Sequence, residues 1–209
     1  MSLHPSVESR LARLSPDQRA AATAPRGPTL CVAPAGSGKT TTLVARIAWL
    51  VDGGVPPATI SAVTFNKRAA DELAARVGEA LEPLDVAPSV VRVRTFHAMG
   101  RQILADSGVD ISRLADRETI MHELLGPRIP TALLRRLDDA FSRQKLDPDG
   151  QPMPADIANV FARYQDRLAD QGSIDFDDLV CRALQKLRED ATLLSRWRQA
   201  CASLLVDEV

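Results

Sequence analysis

Nothing in this sequence points to a fold held together by disulfides or metal. Its three cysteines, Cys31, Cys181 and Cys201, are scattered without a CxxC spacing, and His4, His97 and His122 form no ligand pattern with them. The economical expectation is a reduced, cytosolic protein without structural zinc. No run of about 18 apolar residues is present, so no membrane span is expected. The N-terminus lacks the basic-then-apolar order of a signal peptide. Charge of one sign is missing too. Lys and Arg number 26 against 27 Asp and Glu, for a net charge of −1. Any contact with nucleic acid must therefore come from a local face and not from a global field. There is no repeat or low-complexity block.

What is present suffices for a core. The chain has 209 residues, 45% hydrophobic and 25% charged, which excludes a disordered chain. Its character changes twice. Up to about Ser107, short apolar runs alternate with helical ones, the pattern of β-α units on a parallel sheet. Thr29–Val32, Ile60–Thr64 and Val90–Val93 read as buried strands. Each precedes a helical segment, respectively Lys39–Val51, Arg68 to about Leu81, and Phe96–Ala105. From 108 to 172 the strand signal vanishes. Glu118–Leu125, Thr131–Lys145 and Ala155–Ala169 are amphipathic at helical spacing, separated by Gly126-Pro127, Pro130 and Asp147-Pro148-Asp149-Gly150. After 173 the sheet pattern resumes, with helices at Asp177–Glu189 and Leu193–Cys201 and an apolar strand, Leu204-Leu205-Val206. The fold class expected is α/β, a P-loop parallel sheet flanked by helices with an inserted all-helical subdomain. Residues 1–107 and 173–209 belong to the sheet domain and 108–172 to the insertion.

Ala33-Pro34-Ala35-Gly36-Ser37-Gly38-Lys39-Thr40 lies between a predicted strand and a predicted helix, where a phosphate loop belongs. Backbone N–H groups from Gly36 to Lys39 can wrap a β-phosphate, because glycine tolerates positive φ and the helix end adds partial positive charge. Lys39 would bridge the β- and γ-phosphates, and the Thr40 hydroxyl would hold Mg²⁺. Ala33 stands where the general motif has its first glycine. A Gly-rich turn that merely caps a helix is the bland alternative.

The strand ending in Asp207-Glu208 supplies the second carboxylate such a loop needs. Asp207 is the Mg²⁺ candidate, and Glu208 is the candidate base for an attacking water, which points to hydrolysis. A solvated acidic end is the alternative. Lys39, Asp207 and Glu208 are thus the catalytic candidates. Ala35 through Thr41 (Ala35, Gly36, Ser37, Gly38, Lys39, Thr40 and Thr41) are the candidate nucleotide contacts.

Four further segments fall in a familiar order. Leu14-Ser15-Pro16-Asp17-Gln18-Arg19, Ala62-Val63-Thr64-Phe65 with Ala69-Ala70-Asp71-Glu72-Leu73, Val93-Arg94-Thr95-Phe96-His97, and Ile174-Asp175-Phe176-Asp177-Asp178-Leu179, together with the phosphate loop and Val206-Asp207-Glu208, resemble successive motifs of UvrD/Rep/PcrA-type superfamily-one DNA helicases. The resemblance covers the whole chain except the helical insertion. It implies a first RecA-like domain cut off after its acidic strand, from the front of an ATP-dependent 3′-to-5′ helicase or translocase. ATP and Mg²⁺ are the implied cofactors. Single-stranded DNA and duplex junctions are the implied partners of the parent protein, in a bacterial, nucleoid-associated setting.

By that resemblance Gln18 reads the adenine edge, although Ser15, Pro16 and Gln18 also compose a helix capping box. The resemblance also puts Thr64, Phe65, Asn66, Thr95, Phe96 and His97 on the path of single-stranded DNA, with Phe65 stacking on a base. Both phenylalanines could instead cover the sheet as core residues. The acids Asp175, Asp177 and Asp178 read as a helix N-cap and dipole complement, and Trp49 and Trp197 as core. Arg135, Arg136, Arg143 and Lys145 could touch duplex DNA, though a solvated face is the commoner fate.

Two departures from the family pattern stand out. Thr41 replaces a basic residue, and Thr64-Phe65-Asn66-Lys67-Arg68 redistributes the polar residues that follow the strand. A RecB/AddA-type helicase-nuclease, or a non-catalytic ATP-binding scaffold, would share much of this front half. The arginine finger belongs to a second domain in the family. The fragment alone is therefore expected to bind ATP·Mg weakly and to hydrolyse it barely.

Overall fold

The computed structural model describes residues 2–147 and 149–207. They form two compact units, one from residues up to 96 together with those from 195 onward, the other from 97–194.

In the first unit a three-stranded parallel sheet has the order β2-β1-β3, with β1 Ile60–Thr64 in the centre, β2 Arg92–Thr95 and β3 Ser203–Asp207. Every residue of β1 is buried, as a central parallel strand covered on both faces must be. Before it in the chain come α1 (Pro5–Ala12), α2 (Pro16–Ala22) and α3 (Lys39–Asp52), and α4 (Lys67–Leu81) makes the crossover from β1 to β2. Local chemistry sets these boundaries. Ser15 and Gln18 form the capping box that opens α2 behind Pro16. The Asn66 side chain accepts from Ala69 N at 2.9 Å and opens α4. Helix α3 buries Val44, Ala45, Ile47 and Ala48 at helical spacing, and α1 adds Val7 and Leu11 to the same core. Helix α1 has no counterpart in the sequence reading. It is tied down by the His4 backbone N–H, which reaches both carboxylate oxygens of Asp52 at 3.1 and 3.3 Å.

One expected strand is not there. Thr29–Val32 runs outside the sheet, with Leu30 80% and Val32 90% exposed. Its apolar composition suits a buried strand, but a strand also needs a ladder partner. This segment pairs with neither edge of β2-β1-β3. Pro28 and Pro34 on its flanks have no N–H to donate.

The second unit is helical. Helices α6 (Arg117–Leu125), α7 (Thr131–Leu146) and α8 (Ala155–Asp170) enclose a core of Ile120, Met121, Leu137, Phe141, Ile157, Tyr164 and Leu168. Most of α5 (Phe96–Asp106) and α9 (Asp178–Glu189) belong to the same unit, and α10 (Ala191–Ala200) spans its boundary. The stretch 108–172 lies inside this unit. The backbone of Leu179 approaches Gly100 so closely that a β-carbon there would lie 2.2 Å from the Leu179 carbonyl oxygen.

The acids before α9 do more than cap it. Asp177 occupies the N-cap without a side-chain cap bond, while Asp175 and Asp178 exchange backbone-to-carboxylate bonds of 3.1 and 3.0 Å. All three are buried. Lys145 Nζ lies 2.9 Å from both Asp175 and Asp178, and Arg117 lies 2.7 Å from Asp175 and 2.6 Å from Asp177. The Tyr164 hydroxyl donates to Asp175 at 2.7 Å, and the Ser142 hydroxyl to Asp177 at 2.6 Å. Lys145 is only 4% exposed, so it is a buried counter-ion and not a DNA-facing cation. Burial alone would raise the Asp175 carboxyl. Lys145, Arg117 and Tyr164 together outweigh it and hold the group well below the ordinary carboxylate range.

Candidate nucleotide site and nucleic-acid edge

The register of the sheet brings three residues into one row at its carboxyl edge. Thr64 at the end of β1 is paired with Thr95 on one side and Asp207 on the other. In open α/β sheets this edge carries the binding crevice.

Helix α3 begins beside it. Gly38 is its N-cap at φ 82°, and Gly36 sits at φ 76°, conformations that favour glycine. A β-carbon at Gly36 would meet nothing within 4 Å, so the turn is held open by backbone conformation and not by crowding. Lys39 Nζ donates to Ala33 O and Pro34 O, both at 3.1 Å, folding back over the loop that it ends. The Thr40 hydroxyl donates to Asp207 Oδ2 at 3.1 Å, joining residues 167 positions apart. Asp207 is 8% exposed. Ser37 Oγ is buried without a hydrogen-bond partner among the described residues.

These observations fit a phosphate and a divalent cation. The loop has two glycines at positive φ, the conformation a phosphate-binding turn uses, with the Ser37 amide donating to Pro34 O at 3.3 Å. It also has a buried hydroxyl in need of a partner, a cation at the helix start, and a hydroxyl–carboxylate pair of the kind that Mg²⁺ takes. Gln18 is half-buried beside the loop and donates from Nε2 to Ser37 O at 2.7 Å. Thr41 is engaged by Arg76 of α4, whose guanidinium donates to its hydroxyl at 2.6 Å. Glu208 lies outside the described residues.

The residues expected to meet DNA divide by exposure. Thr64 is buried at 1%, whereas Phe65 is 73% and Phe96 40% exposed. Neither phenylalanine is a core residue. Asn66 is spent on its helix cap through Oδ1. In the helical unit, the His97 ring stacks on Phe176 with centroids 3.8 Å apart and planes 17° from parallel. Burial lowers the His97 pKa, partly opposed by the charge of Asp177.

Sequence reasoning missed two participants. Arg76 looks like one more helical arginine, and only the packing of α4 against α3 places its guanidinium on Thr41, the position that lacks the family's basic residue. Phe176 was hidden in an acidic run whose chemistry drew attention away from the aromatic.

Comparison with known proteins identifies the family. Residues 14–149 and 124–209 match the family described as UvrD/REP helicase N-terminal domain. The chain is 34% identical to the ATP-dependent DNA helicase PcrA of Leuconostoc citreum, an alignment covering 97% of this chain and 30% of that protein. It is 29% identical to DNA helicase II of Escherichia coli, with the same two coverages. Against the ATP-dependent DNA helicase Rep of Escherichia coli the identity is 30%, over 94% of this chain and 32% of the relative. The chain thus spans about 30% of the length of these curated relatives.

Proposed function

The chain belongs to the UvrD/REP helicase N-terminal domain family, and from that premise we propose that it is the ATP-binding part of an ATP-dependent DNA helicase or translocase. The observation that carries this is the Thr40–Asp207 bond at 3.1 Å, set beside Lys39 at the start of α3. Two segments far apart in sequence supply, at one sheet edge, the hydroxyl, carboxylate and ammonium that phosphoryl chemistry requires.

In this reading Ala35 to Thr41 receive the phosphates and Gln18 faces the base. Lys39 balances the charge of the β- and γ-phosphates. Thr40 and Asp207 would hold Mg²⁺, which when bound supplies charge neutralisation on the phosphate oxygens. Glu208 takes the role of general base. Phe65 offers an exposed ring on which a base of single-stranded DNA can stack, with Thr64, Asn66, Thr95, Phe96 and His97 completing the strand's path. Residues 1–107 with 173–209 are assigned to the RecA-like part and 108–172 to the helical insertion, although 97–107 and 173–194 pack within the helical unit. That assignment is supported by all three strands lying in the former and by the separate core of α6, α7 and α8.

Polarity from 3′ to 5′, a role in repair or replication and a cytoplasmic, nucleoid-associated location are carried from the family. Among the described residues no helix is long and apolar enough to cross a membrane. The 209 residues by themselves bind ATP·Mg and hydrolyse it barely. An arginine finger, which the family places in its second domain, is worth about 10³–10⁵ in rate in related phosphoryl transfer.

The test is the ATPase rate of the full-length parent with and without single-stranded DNA, beside Lys39→Ala. DNA should stimulate hydrolysis, and the variant should abolish it. Absence of stimulation, or an unaffected variant, refutes the motor.

A further inference from the structure

Gln18 uses both ends of its side-chain amide. Oε1 accepts from Ser15 N at 3.0 Å, completing the cap of α2, and Nε2 donates to Ser37 O at 2.7 Å. The helix does not need the second bond, because its capping box is already satisfied. The loop has more use for it. The described peptide bonds are trans, so the Ser37 carbonyl and the Gly38 N–H lie in one plane and point in opposite directions. Anchoring the carbonyl on Gln18 turns the Gly38 N–H away from α2, where it can join the succession of amides that cradles a phosphate.

Gly38 itself is fitted to this contact. It holds φ +82°, and a β-carbon there would lie 2.7 Å from Gln18 Nε2. The amide sits in the room beside this glycine, and a side chain here would have to displace it as well as adopt a positive φ.

We propose that Gln18 is a positioning residue for the phosphate loop. It acts through the Ser37 carbonyl on any polyphosphate that binds there, independently of a base. This rests on the nucleotide-site reading above and deepens it, since the same side chain then serves both the loop and the base. Loss of one such hydrogen bond corresponds to an affinity change of about three- to tenfold.

The probe is inorganic tripolyphosphate with Mg²⁺, which has no base for Gln18 to read, titrated calorimetrically into the 209-residue chain. Three variants accompany it. Gln18→Met keeps the length and removes the donor. Ser15→Ala removes the hydroxyl half of the helix cap and leaves Nε2 in place. Lys39→Ala removes the loop cation. Thermal melts of all four proteins report folding.

The expected pattern is loss of binding in Lys39→Ala, three- to tenfold weaker binding in Gln18→Met, and unchanged binding in Ser15→Ala despite a lowered melting temperature. Unchanged binding in Gln18→Met, with binding still lost in Lys39→Ala, overturns the positioning role and leaves the nucleotide site standing. Equal weakening in Ser15→Ala and Gln18→Met assigns the effect to the helix cap and also overturns it. Absence of Lys39-dependent binding in the unaltered chain brings down both readings.

Discussion

Replacing Lys145 with methionine should be among the most damaging single changes in the helical unit. The Lys145 ammonium lies 2.9 Å from Asp175 and 2.9 Å from Asp178, and the three side chains are 4%, 1% and 7% exposed. The buried Lys145 ammonium and the largely covered Arg117 guanidinium face three buried carboxylates, Asp175, Asp177 and Asp178. Lys145→Met leaves Arg117, and the more exposed Arg182 that lies 3.6 Å from Asp178, against all three. Methionine retains the apolar stem, so the loss is one of charge more than of packing. Breaking a buried ion pair by deleting one partner costs about 3–5 kcal/mol, a large share of a stability of about 5–15 kcal/mol for a whole domain.

The control is Lys186→Met. That lysine pairs with Glu189 at 3.0 Å, but the two side chains are 40% and 48% exposed, and an exposed pair of this kind is worth about 0–1 kcal/mol. Urea unfolding followed by helical circular dichroism at pH 7 measures both, fitted with two transitions because the two units need not unfold together. Adding Asp178→Asn to Lys145→Met should recover part of the loss, since it removes one uncompensated carboxylate. Equal costs for Lys145→Met and Lys186→Met, or a double variant worse than Lys145→Met alone, refute the reasoning.

Gly100→Ala should destabilise the helical unit by about 3 kcal/mol in urea melts, because its β-carbon would meet the Leu179 carbonyl, which is backbone and cannot rotate away. The Asp175 carboxyl is held below its ordinary value of 3.8. Its contribution to stability should be complete above about pH 4 and lost as pH falls through and below that value, which acid titration of the unfolding midpoint would reveal. Phe65→Ala should weaken single-stranded DNA binding by the full-length parent by about 1–3 kcal/mol. Its melting point should barely move, because the ring is 73% exposed.

Much of this was legible in the sequence for identifiable reasons. Ile60–Thr64 appeared at its observed boundaries because an apolar run between turn signals leaves few alternatives. The capping box at Ser15 and Gln18 and the helix opening at Lys39 are equally local. The Thr29–Val32 segment failed because strand formation depends on a pairing edge, which composition does not encode. Asp175, Asp177 and Asp178 looked like a helix cap since their cations, Arg117 and Lys145, lie 58 and 30 positions away from Asp175, on α6 and α7. The phosphate loop and Asp207 could be named from their motifs, but that Thr40 and Asp207 meet at all is a tertiary fact. So is the second bond of Gln18, which turns a helix-capping residue into a neighbour of the loop.

The central claim is that Lys39, Thr40 and Asp207 form a nucleotide·Mg²⁺ site in these 209 residues. Titration with a fluorescent N-methylanthraniloyl-ATP, with and without Mg²⁺, tests it most directly when carried out on the chain, on Lys39→Ala and on Asp207→Asn. Saturable binding that requires Mg²⁺, disappears in Lys39→Ala and loses its metal dependence in Asp207→Asn is the predicted result. Binding indifferent to Mg²⁺ and equal in all three proteins would contradict it.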